Sequence, residues 1–270
     1  MNLTRILVAL LCTFSLSTAV AKEHQLGLNS AGYPIYQVSD IMQVQQLADG
    51  LWLHRSEQQL SSGARFTHNG LIVQAQGGVI LIDTGWGDFA TLDLLRFIES
   101  KLQQPVLYAI ASHFHDDSLG GYKVLAQRQI PLRVTAQTAA LAASQHTLPV
   151  AIATRLNVGE HFDDGDLDWF YPGAGHAPDN IVIYLPKYQL LFGGCFVKAP
   201  KYPGLGNIAD ADLAAWPASL LRVKAAYPSL KLVVPGHGDI SDSRLLDYSL
   251  QLLQAAASHS TTPVSDTKAR

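Results

Sequence analysis

Two stretches of the chain share one plan that leaves few folds open: LLRFIESKLQQPVLYAIASHFH at residues 94–115 and SLLRVKAAYPSLKLVVPGHG at residues 219–238. In each, apolar residues at helical spacing lead to a short apolar strand that ends in histidine. A helix followed by a buried strand, occurring twice, predicts an α/β protein of two similar halves packed face to face. Sheets inside and helices outside would bring both histidine-bearing strand ends to one edge.

Further elements fit this plan. GLWLHRS, GLIVQAQGG and VILIDTGWG read as successive strands, and DFATLDLLRFIESKL as a helix for which Asp88 is a plausible cap. Downstream, IVIYLPKYQLLFGGC reads as a hairpin, LAAWPASLLRVKAA as a helix and KLVVPGHGD as a strand running into a polar loop. No linker, charge block or low-complexity tract interrupts the chain, so a single domain is expected over 22–270, with a polar tail from about 259. Of its 270 residues 48% are hydrophobic, ample for a substantial core.

The N-terminal segment MNLTRILVALLCTFSLSTAVA has one basic residue, a short apolar run and Ala19-Val20-Ala21 before Lys22. It reads as a secretory leader cleaved after residue 21, too short in its apolar run to be preferred as a membrane anchor. Export to the periplasm with no membrane attachment is therefore expected. Net charge is −3 and becomes more acidic without Arg5, which disfavours nucleic acid and other polyanions as partners. Of the two cysteines, Cys12 leaves with the leader and Cys195 remains unpaired, as a core residue, a reactive thiol or a metal ligand.

Chemistry concentrates in SHFHDDSLGG, residues 112–121. His113, His115 and Asp117 alternate there, and in a loop after a strand they can converge on one cavity as ligands that suit zinc. Three more candidates lie in glycine-flanked contexts: His176 in GAGHAPDN, Cys195 in FGGCFVK and His237 in VPGHGD. Singly, each also suits a hydrogen-bonded loop histidine or a small core residue. Together they supply six ligands, enough for two zinc sites that each keep a position open for water.

With LIDTGW, HFHDD, GAGHAPDN, FGGCFVK, GLGN and PGHGD in this order, the chain resembles the metallo-β-lactamases of subclass B1 from about Leu51 to Leu253. The resemblance implies a four-layer αβ/βα sandwich of two mixed β-sheets with outer helices. It also implies two Zn2+ ions, the first held by His113, His115 and His176 and the second by Asp117, Cys195 and His237. Lys198 resembles the lysine that binds the substrate carboxylate, and Asn207 the asparagine near the lactam carbonyl. Asp83 and Ser118 would support the ligands from behind; Trp86 would line the pocket or belong to the core, and Phe66 would line it from residues 61–70, which form either a mobile loop over substrate or a plain hairpin turn. His54, His68, His146 and His161 have no partner motif and read as structural or exposed.

The reaction so implied is hydrolysis of penicillins, cephalosporins and carbapenems by a hydroxide held between the zincs, conferring antibiotic resistance by a monomer. Asp117 would orient the nucleophile, Asn207 would help stabilise the oxyanion and Lys198 would anchor the ring carboxylate. Many relatives place arginine after the metal-binding aspartate, where this chain has Ser118. Hydrolases of the same broad fold that cleave thioesters, lactones or phosphodiesters carry a histidine there, which leaves Cys195 to complete the second site. A zinc-binding protein without catalysis would instead require closed metal sites.

Overall fold

A computed structural model describes residues 23–144 and 151–260; the expected leader, His146 and the tail beyond residue 260 lie outside them. The first sheet follows chain order. Strands β1 (His24–Leu28), β2 (Pro34–Ser39), β3 (Met42–Ala48), β4 (Leu51–Gln59), β5 (Arg65–Ala75) and β6 (Gly78–Ile82) form an antiparallel meander. Strands β7 (Val106–Ile110), β8 (Leu132–Thr135) and β9 (Ala151–Thr154) extend it in parallel. Helix α1 (Asp88–Phe97) joins β6 to β7, the short α2 (Asp116–Leu119) and α3 (Tyr122–Gln127) join β7 to β8, and α4 (Ala136–Ala142) precedes β9.

The second sheet comprises antiparallel β10 (His161–Asp163), β11 (Asp168–Phe170), β12 (Val182–Leu185) and β13 (Leu190–Gly194), with β14 (Leu232–Pro235) parallel to β13. Helix α5 (Trp216–Ala226) connects β13 to β14, and α6 (Arg244–Ser260) closes the described chain. The two stretches singled out in the sequence are thus the ends of two β-α-β units, β6-α1-β7 and β13-α5-β14. A parallel pair needs such a crossover, because its strands cannot be joined by a tight turn.

Alternation along the strands builds the layers. Val79 and Leu81 of β6 face Leu94, Phe97 and Leu125 of the outer helices. Ile80 and Ile82 face inward, with Leu53, Leu71 and Ile110, onto Trp169, Ile183, Phe192 and Val234 of the second sheet. On that sheet's far side Val182, Leu191 and Val233 meet Trp216, Leu220 and Leu246. Helix, sheet, sheet and helix therefore stack as the expected αβ/βα sandwich of two mixed sheets. Burial of each large apolar side chain contributes roughly 1.5–3 kcal/mol.

Three local readings are decided by the structure. Asp88 is the first helical residue behind Gly87 and makes no side-chain cap, although the helix runs on through a π turn at Ile98–Leu102 as the apolar spacing required. Residues 65–70 belong to β5, so of the two readings of that segment the structure has the hairpin, with a turn of only 60–64. There Leu60 donates from its amide to Ala64 and accepts from Gly63. His68, read as structural or exposed, is wholly buried at the site described next.

Candidate metal centre

Parallel strands release their chains at the same edge, and here four such ends converge. Behind β6, Asp83 takes a left-handed backbone conformation (φ 59°), an uncommon conformation for a residue with a side chain. Its carboxylate accepts from the Ser112 amide at 2.7 Å, from the Ser112 hydroxyl at 3.0 Å and from the Ser118 hydroxyl. Asp83 and Ser118 so fix both ends of the loop that carries His113, His115 and Asp117. Burial raises the Asp83 carboxyl to about 6, opposed by His113 and the serine hydrogen bonds.

Six predicted ligands meet in two groups. Asp117 Oδ2 lies 3.2 Å from Cys195 Sγ and 3.0 Å from His237 Nε2, and Sγ lies 3.3 Å from the same Nε2. Beside this triangle His115 Nδ1 lies 3.2 Å from His176 Nε2. His113 Nε2 reaches Asp117 Oδ1 at 3.3 Å, and its ring sits 4.8 Å and 5.2 Å from those of His115 and His176. A tetrahedral zinc with bonds of about 2.0–2.3 Å spaces its donors by about 3.3–3.7 Å. Both groups are close to that spacing, and His113 Nε2 and Asp117 Oδ1 are buried without a hydrogen-bond partner among the described residues. The donors fit two divalent ions of zinc's preferences.

For two of the rings a hydrogen bond on the far side sets the tautomer. His237 Nδ1 donates to the Thr67 carbonyl at 2.8 Å, which leaves Nε2 as the donor atom for a metal. His115 Nε2 meets Asp210 Oδ2 at 3.0 Å, which leaves Nδ1. Around Asp117, burial opposes ionisation, but His68, His113 and His237 outweigh it and hold the carboxyl well below its ordinary range. Burial and then the Asp117 carboxylate push the Cys195 thiol well above its ordinary value. A cation at the triangle reverses that balance and favours the thiolate.

Close approach dictates some neighbours. A Cβ on Gly236 would lie 2.5 Å from Cys195 Sγ, so only glycine lets the end of β14 pass beside the end of β13. Asn69 of β5 donates to the carbonyls of Pro235 and Gly238 at 2.9 and 2.8 Å, and its amide donates to the Gly236 carbonyl at 2.7 Å. It clamps the loop of His237 from across the sheet. In GAGHAPDN, Asn180 accepts from the Ala177 amide at 3.0 Å and donates to the Gly173 carbonyl at 3.1 Å, closing the loop that presents His176.

Lys198 is nine-tenths buried, its Nζ 5.3 Å from the centre of the Trp216 ring. Burial lowers its pKa, opposed by Cys195 and Asp117. Asn207 is exposed on the rim, its Oδ1 accepting from the Ala209 amide at 3.1 Å. Trp86 is half-buried against the His237 ring at 5.7 Å, and Phe66 packs on Tyr202 at 5.2 Å. Asn69, Asp210 and His68 were missed in the sequence. Of the other histidines, His54 is buried under Gly70, and His161 is exposed and paired with Asp168.

Comparison with known proteins agrees with this architecture. Residues 63–237 match the metallo-β-lactamase superfamily. The chain is 36% identical over 232 residues to the type 2 metallo-β-lactamase of Bacillus cereus, covering 86% of this chain and 87% of that one. It is 34% identical over 226 residues to the type 2 enzyme of Bacteroides fragilis, covering 80% and 87%. Among solved structures, a metallo-β-lactamase from Pontibacter korlensis superposes with a TM-score of 0.73 at 40% identity, over 79% of this chain and 99% of the other. FIM-1 from Pseudomonas aeruginosa, solved in its mono-zinc form, gives 0.77 at 30% identity, over 82% and 98%. With this match across most of its length, the chain belongs to the metallo-β-lactamase superfamily and is an enzyme of that family.

Proposed function

We propose that the enzyme uses two zinc ions to hydrolyse the amide bond of penicillins, cephalosporins and carbapenems. The observation that carries this reading is the Asp117–Cys195–His237 triangle standing beside the His113, His115 and His176 rings. Zinc at such donors supplies Lewis-acid polarisation of a carbonyl and lowers the pKa of water to roughly 7, so hydrolysis needs no serine nucleophile. The first set contributes three protein donors, the arrangement of a catalytic rather than a closed site, and Asp117, Cys195 and His237 give the second at least three.

The chain's own groups divide the remaining work. Asp117 spans the two donor sets: Oδ2 belongs to the triangle, and Oδ1 faces His113 with no hydrogen-bond partner among the described residues, placed to orient a water. Lys198, partly desolvated beside Trp216, would pair with the substrate carboxylate more strongly than an exposed lysine can. Asn207 commits its carbonyl oxygen to its own turn, so its amide nitrogen is the group that would donate to the lactam carbonyl. Trp86 and Phe66 supply apolar wall on the β5 side of the site. Export by residues 1–21 would place a monomer in the periplasm, where it would destroy the drug ahead of its target and confer resistance. No helix among the described residues is long and apolar enough to cross a membrane.

The test is hydrolysis of one carbapenem and one penicillin, followed by ultraviolet absorbance, with protein as purified, chelated and resupplied with zinc. Turnover that vanishes with chelator and returns with zinc is the expected result. No turnover of either compound by zinc-loaded protein overturns the proposal.

A further inference from the structure

We infer that His68 is a fourth protein donor to the second metal, beside Asp117, Cys195 and His237. This rests on the two-metal reading above and adds a ligand that the six-residue set does not contain. His68 has no exposed surface, and one of its donor atoms lies together with those of Asp117 and Cys195 within 4.8 Å. Neither ring nitrogen has a hydrogen-bond partner among the described residues. A buried polar nitrogen is costly to leave unmet, and unlike His54, whose nitrogens are also orphaned, His68 stands beside two candidate metal donors.

The surroundings favour a metal over other partners. Trp86 and His237 meet the ring edge-on at 6.4 and 5.3 Å and shut it from solvent. The nearest carboxylate outside the triangle, Asp83 Oδ2, stands 3.5 Å from Nε2, beyond a good hydrogen bond, and is already committed to the Ser112 hydroxyl. A tetrahedral zinc spaces its donors about 3.4 Å apart, so His68 needs to close on the triangle by on the order of an ångström. The same strand already serves this metal, since Thr67 fixes the tautomer of His237. Four protein donors would make the second position a tight site, and leave the first as the one with room for water.

Histidine ligands can be counted directly. In the protein loaded with two equivalents of cobalt(II), each bound ring contributes one exchangeable, strongly shifted N–H proton signal. We expect five such signals in the wild type and four in His68→Gln. The variant is also expected to hold its second cobalt at least tenfold more weakly in chelator competition, with the thiolate-to-cobalt absorption of Cys195 confirming that the site is still formed. Two equivalents of cobalt with only four signals in the wild type overturns this inference alone, whether or not the variant folds. Failure to take up a second equivalent overturns the two-metal reading and this inference with it.

Discussion

Gly236 shows how narrow the tolerance at the metal centre is. Its backbone runs so close to Cys195 that a single added methyl would sit 2.5 Å from Sγ and 2.6 Å from the Cys195 amide nitrogen, a contact that something must yield to. In Gly236→Ala the strand end carrying His237 is expected to move off the triangle. Zinc content should fall from two equivalents to one, while His113, His115 and His176, held by other loops, keep theirs. An alanine variant that retains both ions at wild-type affinity would show that the close approach is not needed. A second residue-scale effect comes from His54, buried beneath the site against Gly70, where burial lowers its pKa to about 4 despite the carbonyls of Ile82 and Asp83. Its folded pKa is below its unfolded value near 6.5, so the unfolded chain binds the extra proton first and stability is lost as pH falls. Urea unfolding of metal-free protein should therefore lose on the order of 3 kcal/mol from His54 alone between about pH 6.5 and pH 4. His54→Gln should flatten that part of the curve, and an unchanged slope would refute the assignment. Asp83 acts in the opposite sense over the lower part of this window, so the difference between the two proteins, not the total, is the readout.

The elements explain what could be read from the chain and what could not. Both β-α-β units were legible, because apolar spacing changes period between helix and strand and the histidines stand at the strand ends. The six candidate ligands stood out in the sequence for a related reason: each sits in a loop with glycine or a second candidate nearby, a context that a core residue does not need. Asn69, Asp210 and His68 were not legible in this way. Asn69 and His68 stand beside Gly70 in the segment 61–70, outside the strand read from GLIVQAQGG, and their importance comes from β5 passing behind the ends of β13 and β14, a relation no local window contains. Asp210 meets His115 across 95 residues of chain. Fine boundaries failed where geometry was decided by pairing: β5 extends to Arg65 because β4 continues opposite it as far as Gln59. If Lys198 binds the substrate carboxylate as proposed, helix α5 also links structure to substrate. Its Trp216 donates from Nε1 to the Phe196 carbonyl at 3.0 Å, and its ring lies under Lys198. Trp216→Phe keeps most of the buried volume and loses the hydrogen bond, at an expected cost of about 1 kcal/mol. It also weakens the aromatic face beneath the ammonium, so KM for a carboxylate-bearing substrate should rise several-fold with little change in kcat. A fall in kcat at constant KM would instead place Trp216 among groups that act on the metal ligands.

At the scale of the whole molecule, neither half owns a complete metal site. His113, His115 and Asp117 follow β7 of the first sheet, whereas His176, Cys195 and His237 come from the second. The first donor set needs His176 from across the interface, and the second joins Asp117 to Cys195 and His237. On the two-zinc proposal, each ion would tie the two sheets together at the edge where their parallel strands end. Between the sheets, Leu53, Leu71, Ile82, Trp169 and Phe192 form an apolar layer that owes nothing to metal. Chelation should accordingly loosen the edge while leaving the sandwich folded. A ligand present at about a thousand times its dissociation constant stabilises the folded state by about 4 kcal/mol. For a domain of this size each kcal/mol shifts Tm by about 2–4 °C. Removal of one such ion should lower Tm by on the order of 10 °C, with near-ultraviolet circular dichroism below the transition preserved and the loss reversed by added zinc. If metal-free protein melts at the same temperature as the loaded form, the ions do not join the halves, and the two β-α-β units are held in register by the apolar layer alone.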